Sequence, residues 1–274
     1  MTYSPVVPFG GYAGWKFLAR TRDAQKEAFV ASNQIQRDDA YFREKIGTIQ
    51  TAEDLVADRR LLSVALGAFG LSDDINNKYF IRKVLEDGTL DTDALGNKLS
   101  DKRYLELSKA FGFGDFAIPR TQLSDFADKI LASYKTRQFE EAVGNSNDQM
   151  RLAMNAEREL AVLAGRDLSA DAKWFTVLGS PPLREVFQTA LGLPPAFAAV
   201  DIDRQLVTFK DKAESFLGIN DISDFSDPEK VEDLVRLFLL RSETQVGAGY
   251  SSSSAALTLL QTAANRGGLL SRLI

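Results

Sequence analysis

Leu61–Leu71 reads LLSVALGAFGL, and Leu183–Leu193 reads LREVFQTALGL. The two align without a gap and share Leu61/Leu183, Val64/Val186, Ala68/Ala190, Gly70/Gly192 and Leu71/Leu193. In each, apolar residues recur at helical spacing and Gly-Leu follows, the pattern of a helix stopped by a left-handed glycine whose next residue folds back on the last turn. A second echo comes later in each half. Ser100-Asp101 and Ser226-Asp227 open helices with Leu105/Val231, Glu106/Glu232 and Phe111/Leu237 at matching offsets. The expectation is an all-α fold with two related helical lobes arising by internal duplication. The aligned helices share no reactive group, so what is repeated is a packing unit, which suits a scaffold.

Outward from these stretches, the remaining boundaries carry helix start and stop signals. Thr51-Ala52-Glu53-Asp54 predicts a capping box for a helix running through Leu55, Leu62 and Leu66 to Gly70. Ser72-Asp73-Asp74 opens the next, which Asp87-Gly88 stops; Asp91 or Thr92 starts a short helix, and Ser100 starts one that ends at Gly112. Thr121 to about Glu141 and Asp148 to Ala164 are predicted to pair around the turn Gly144-Asn145-Ser146-Asn147. Ser169 opens a helix to Gly179, and Ser180-Pro181-Pro182 restarts the chain because proline at the first helical position loses no hydrogen bond. After the break at Gly192-Leu193-Pro194-Pro195 a long helix runs to Leu217, and Ser226-Asp227-Pro228-Glu229 is predicted to cap Val231–Leu240.

At the two ends, Trp15 to about Ile46 predicts one long helix with a narrow, Ala-lined seam, preceded by a Gly- and Pro-rich flexible tail over 1–14. The N-terminal lobe is placed at 15–145 and the C-terminal lobe at 146–241. Beyond them, 242–274 holds a Gly/Ser linker and a terminal helix, Ala255–Ala264, nearly uncharged until Arg266. Such a helix must be covered, either by this chain or by a partner. Trp15, Phe17, Leu18, Leu257 and Leu260 are the residues expected to make that contact.

Composition narrows the chemistry. A formal charge of -5 argues against nucleic acid as a partner, since such binding is driven by neutralising phosphates. The chain has no cysteine and no histidine, which excludes thiolate nucleophiles, thiolate zinc sites, Ser-His-Asp triads and the imidazole proton shuttle. Met1–Arg20 lacks a basic segment followed by an apolar run, and no apolar run is long enough to span a bilayer. The chain is therefore expected to be made in the cytoplasm and to have no membrane span.

No motif points to a cofactor or a metal. Asp91-Thr92-Asp93-Ala94-Leu95-Gly96 begins like a calcium loop, but Leu95 replaces an oxygen ligand and Lys102 stands where the closing Glu belongs, so helix capping is the better reading. Asp201-Ile202-Asp203-Arg204-Gln205 is the polar cluster to watch, because it follows the second copy of the repeat and lacks a counterpart in the first half.

Several stretches resemble an uncharacterised bacterial family whose members are often encoded among flagellar genes. They are Tyr41-Phe42-Arg43-Glu44, Asp58 to Leu66, Ala68-Phe69-Gly70-Leu71, Lys98-Leu99-Ser100-Asp101 and Ala110-Phe111-Gly112-Phe113. Trp174 to Gly179, Pro181-Pro182-Leu183-Arg184, Asp201 to Gln205 and Phe238-Leu239-Leu240-Arg241 complete the resemblance, which spans roughly 40–245. It implies flagellar protein partners, with export through the flagellar apparatus without a cleaved signal. It supplies no catalytic residues. Axial flagellar proteins bracket a central body with paired terminal helices, as this chain does in outline, but their middles are β-rich and this one reads as helical. The leading expectation is a non-enzymatic structural or interaction protein of the flagellum, serving assembly, export or motility. The competing expectations are a carboxylate-dependent hydrolase or transferase using Asp201 and Asp203, and a regulator or chaperone that binds partner helices between the lobes.

Overall fold

The computed structural model describes residues 3–244. Among the described residues there are thirteen α-helices and no strands, so the fold is all-α. In chain order they are α1 (Gly11–Val30), α2 (Asn33–Lys45), α3 (Ala52–Ala57), α4 (Arg59–Phe69), α5 (Lys78–Asp87), α6 (Leu95–Lys98) and α7 (Arg103–Phe111). Then come α8 (Phe126–Gly144), α9 (Asp148–Ala164), α10 (Ala170–Gly179), α11 (Pro181–Ala190), α12 (Ile202–Leu217) and α13 (228–244).

Local chemistry sets most boundaries. Thr51 and Asp54 form the predicted capping box, each satisfying the other's backbone N–H. The helix they open does not reach Gly70, however. Asp58 takes an extended backbone and accepts hydrogen bonds from the N–H groups of Arg60 (2.9 Å) and Leu61 (3.0 Å), so it ends α3 and caps α4. The long helix predicted from Trp15 to Ile46 is likewise two helices, because the chain turns at Ala31 and Ser32 becomes extended. The start lies earlier than predicted, at Gly11, and the Gln25 side chain holds the Val6 backbone by accepting from its N–H (2.7 Å) and donating to its carbonyl (3.1 Å). At the start of α13 it is Asp227, not Ser226, that accepts a backbone N–H, from Glu229 (2.9 Å).

The repeated Gly-Leu ends have the geometry their sequence predicts. Gly70 (φ 70°) and Gly192 (φ 66°) are left-handed, and the N–H groups of Leu71 and Leu193 bond back to the carbonyls of Leu66 and Gln188, both at 2.9 Å. An arginine from a distant helix covers each end, Arg103 donating to the Gly70 carbonyl and Arg241 to that of Ala190.

Two apolar cores form. The first is built from α2–α5, α7 and the first half of α8, with Phe42, Leu62, Leu66, Ile81, Phe111 and Tyr134 among its members. The second takes the rest of α8, all of α9–α13, and Trp15 and Leu18 from α1. The cores therefore divide inside α8, between Tyr134 and Phe139, with Phe29 packed against both. α8 and α9 are antiparallel neighbours around the turn at 145–147; α4 packs on α8 and α11 on α9. Lys173 is buried and its ammonium is used for capping, donating to the Ala164 carbonyl at the end of α9 (3.0 Å) and to Ser223 Oγ (2.7 Å).

Candidate functional site

Among the places where the described residues gather polar groups from distant parts of the chain, two stand out. The first is where the chain's ends meet. Glu232 on α13 accepts hydrogen bonds from Tyr12 Oη (2.6 Å), Trp15 Nε1 (3.0 Å) and Lys16 Nζ (2.7 Å), all on α1. Burial pushes the Glu232 carboxyl up, but the bonds from Lys16, Tyr12 and Trp15 outweigh it and hold the group below the usual carboxylate value. Farther along, Gly11 lies so close to Glu243 that a side chain there would overlap the carboxylate. α1 is thus laid along the last described helix.

The structure locates the predicted contact residues around this junction. Trp15 (2% exposed) and Leu18 are buried in the second core, so both pack on their own chain. Phe17 is half-buried. Leu257 and Leu260 lie outside the described residues.

The second place is a cleft of about 400 Å³ between the two repeats. Its floor comes from α8 and α9, one wall from the end of α4 and the start of α7, and the other from the end of α10 and the start of α11. An ion network of half-buried groups around the buried Glu140 supports it. Arg158 binds Glu140 with two hydrogen bonds (2.7 and 2.9 Å), and Glu159 accepts from both Arg158 (2.6 Å) and Arg137 (2.7 Å). Burial raises the Glu159 carboxyl, but Arg158 and Arg137 prevail and keep it below its ordinary value. Burial, together with the neighbouring Arg158, pulls the Arg137 guanidinium below its ordinary value. Glu159 is thus held ionised, which suits a binding surface better than a proton donor. Arg166, beyond α9, reaches Glu106 on α7 at 3.1 Å and closes one side.

This network was missed in the sequence because each charge, taken alone, reads as a solvated helix face. A signal was present. Arg137 and Glu140 on one arm find Glu159 and Arg158 in reversed order on the other, as partners across an antiparallel helical hairpin must.

Asp201 and Asp203 are exposed. Asp201 caps α12, accepting from the N–H groups of Asp203 (3.1 Å) and Arg204 (3.4 Å), and Asp203 lies in the helix's first turn. They line neither the cleft nor the terminal junction. The capping role explains both carboxylates and removes the reason for singling them out as acid and base.

A family of proteins of unknown function (DUF1217) matches residues 68–231, which include the second copy of the Gly-Leu helix, the Ala68–Leu71 end of the first, and the α8–α9 hairpin. A crystal structure of a protein from Agrobacterium tumefaciens, determined by a structural genomics consortium, is 30% identical to this chain. The match covers 88% of this chain and 99% of that one, with a TM-score of 0.71. No functionally curated protein matches the chain. On the extent of the family match, the chain belongs to the DUF1217 family of proteins of unknown function.

Proposed function

We propose that this is a non-enzymatic structural or interaction protein associated with the flagellum, acting in assembly, export or motility. The two lobes are read as an internal duplication that forms the scaffold, and the chain's ends as the means of attachment. The observation that carries this reading is the clasp of α1 on α13, where Tyr12, Trp15 and Lys16 converge on Glu232. The clasp and the Gly11–Glu243 approach bring the first turn of α1 to the last turn of α13. Two ends of the described chain that meet in this way are read as a single attachment point. The flagellar setting rests on the sequence resemblance over roughly 40–245. Its partners are read as flagellar proteins, reached through signal-less export or in the cytoplasm.

The test pairs affinity purification and mass spectrometry in motile cells with a motility assay of a deletion strain. Flagellar partners and impaired swimming are expected. Deleting 246–274 leaves a folded helical core and abolishes partner capture. Normal swimming without flagellar partners overturns the reading, and unchanged capture by the truncated chain overturns the attachment role.

A further inference from the structure

We propose that the interlobe cleft binds a short, extended, uncharged stretch of polypeptide through its backbone amides. This site is separate from the terminal junction, so it stands or falls independently of the attachment role.

The first observation is Asn155 on α9. It is 6% exposed and lines the cleft, and its Oδ1 has no hydrogen-bond partner among the described residues. A buried carbonyl oxygen without a donor is costly and needs an explanation. The second is Arg137, whose one hydrogen bond among the described residues goes to Glu159. The rest of its guanidinium fork lies beside the end of α4, with Nη1 3.2 Å from where a Gly70 side chain would begin. The cleft thus combines an acceptor lacking a donor with donors lacking acceptors.

Charge decides what can satisfy them. The lining carries five basic and six acidic side chains. Its arginines are already paired: Arg103 with Asp101, Arg137 with Glu159, Arg151 with Asp148 and Arg166 with Glu106. An anion entering here meets four paired arginines, Lys102 already donating to the Asn97 carbonyl (2.8 Å), and additional carboxylates, which disfavours phosphates and acidic ligands. A neutral group with one donor and one acceptor fits, and the peptide unit is that group. The segment must be extended, because a helix spends its amides internally and offers none to Asn155 or Arg137. This replaces the partner helix expected between the lobes. Val162, Leu163 and Leu183 supply apolar lining for a side chain, and the volume is that of a small-ligand site.

The test uses the full-length, isotope-labelled protein and four capped tripeptides, Ac-Ser-Xaa-Ser-NH2 with Xaa Leu, Val, Phe or Asn, followed by amide chemical shifts. At least one is expected to give saturable shifts at Gly70, Asn155 and Leu183 below about 10 mM. N-methylation of its central amide and the substitution Asn155→Leu should each weaken binding about tenfold. Asn155→Leu should leave the melting temperature unchanged or raised, because it removes an unpaired buried oxygen. Val162→Glu at the exposed rim is the second blocking variant and should also weaken binding. The proposal is overturned if none of the four peptides binds saturably, or if the shifts fall outside the cleft. It is also overturned if N-methylation has no effect, if both variants bind normally, or if succinate binds more tightly than every peptide.

Discussion

The two repeats have the same helix ending and different interiors. At the aligned positions Ala65 and Phe187, both fully buried, the first repeat has a methyl group and the second a ring. Phe187 is the hub of an aromatic cluster, edge-on to Trp174 and Phe225 (both 5.6 Å between centroids) and stacked on Phe209 (6.3 Å). In the first repeat, close approach takes the place of bulk. Gly67 leaves so little room that an added Cβ would stand 3.0 Å from the Tyr134 ring of α8. One backbone motif thus serves a tight helix–helix contact in one lobe and an aromatic hub in the other. The echoed glutamates diverge in the same way, Glu106 holding Arg166 across the cleft and Glu232 holding α1. The same helix stop over different interiors lets two similar segments take different neighbours.

Exchanging the interiors tests this comparison most severely. Phe187→Ala should cost about 3–5 kcal/mol through lost burial and the cavity left among three aromatic side chains. Its converse, Ala65→Phe, should cost about 1–3 kcal/mol or more through overpacking. Both are read by chemical denaturation. Negligible losses for both would mean that the two interiors are interchangeable.

The shared ending should respond alike in both lobes. Gly70→Ala and Gly192→Ala each place a Cβ in a left-handed conformation, at a cost of about 1–2 kcal/mol. Thermal melts of the two variants should agree closely. A loss at one position only would break the equivalence of the two stops.

The smallest effect tests the α1–α13 clasp by pH. Glu232 has a folded pKa below its unfolded value, so its contribution is present above the ordinary carboxylate range of about 4.3 and is lost as pH falls through the folded value. Acidification should release α1 and expose Trp15, which fluorescence would detect. Glu232→Gln should remove that acid step. An unchanged step in the variant would assign it to another carboxylate.

What could be read from the sequence was whatever is written locally. Phe69-Gly70-Leu71 marked the stop of α4 because a left-handed glycine closes that turn, and Ser180-Pro181-Pro182 marked α11 because proline belongs at a first turn. Local signals also misled where two competed. The apolar spacing through Leu55 and Leu62 suggested one helix, whereas the cap at Asp58 divides it; the Ala-lined seam of the N-terminal stretch hid the turn at Ser32. The cleft and the clasp were not legible from their neighbours in the chain. Arg137 meets Glu159 only once the hairpin register is fixed, and Trp15 meets Glu232 only after the whole chain has closed.

The closure of α1 on α13 also sets a mechanical load path. α1 and α13 both anchor in the second core, and the first core reaches it chiefly through α8, whose 19 residues make a beam about 28 Å long. Tension applied across the two ends of the described chain is borne by the shear contact between those helices, through Trp15 and Glu232. The first lobe hangs outside that path and stays unloaded until the contact slips. A body built this way can be pulled at one edge while its cleft, set between the lobes, keeps its shape.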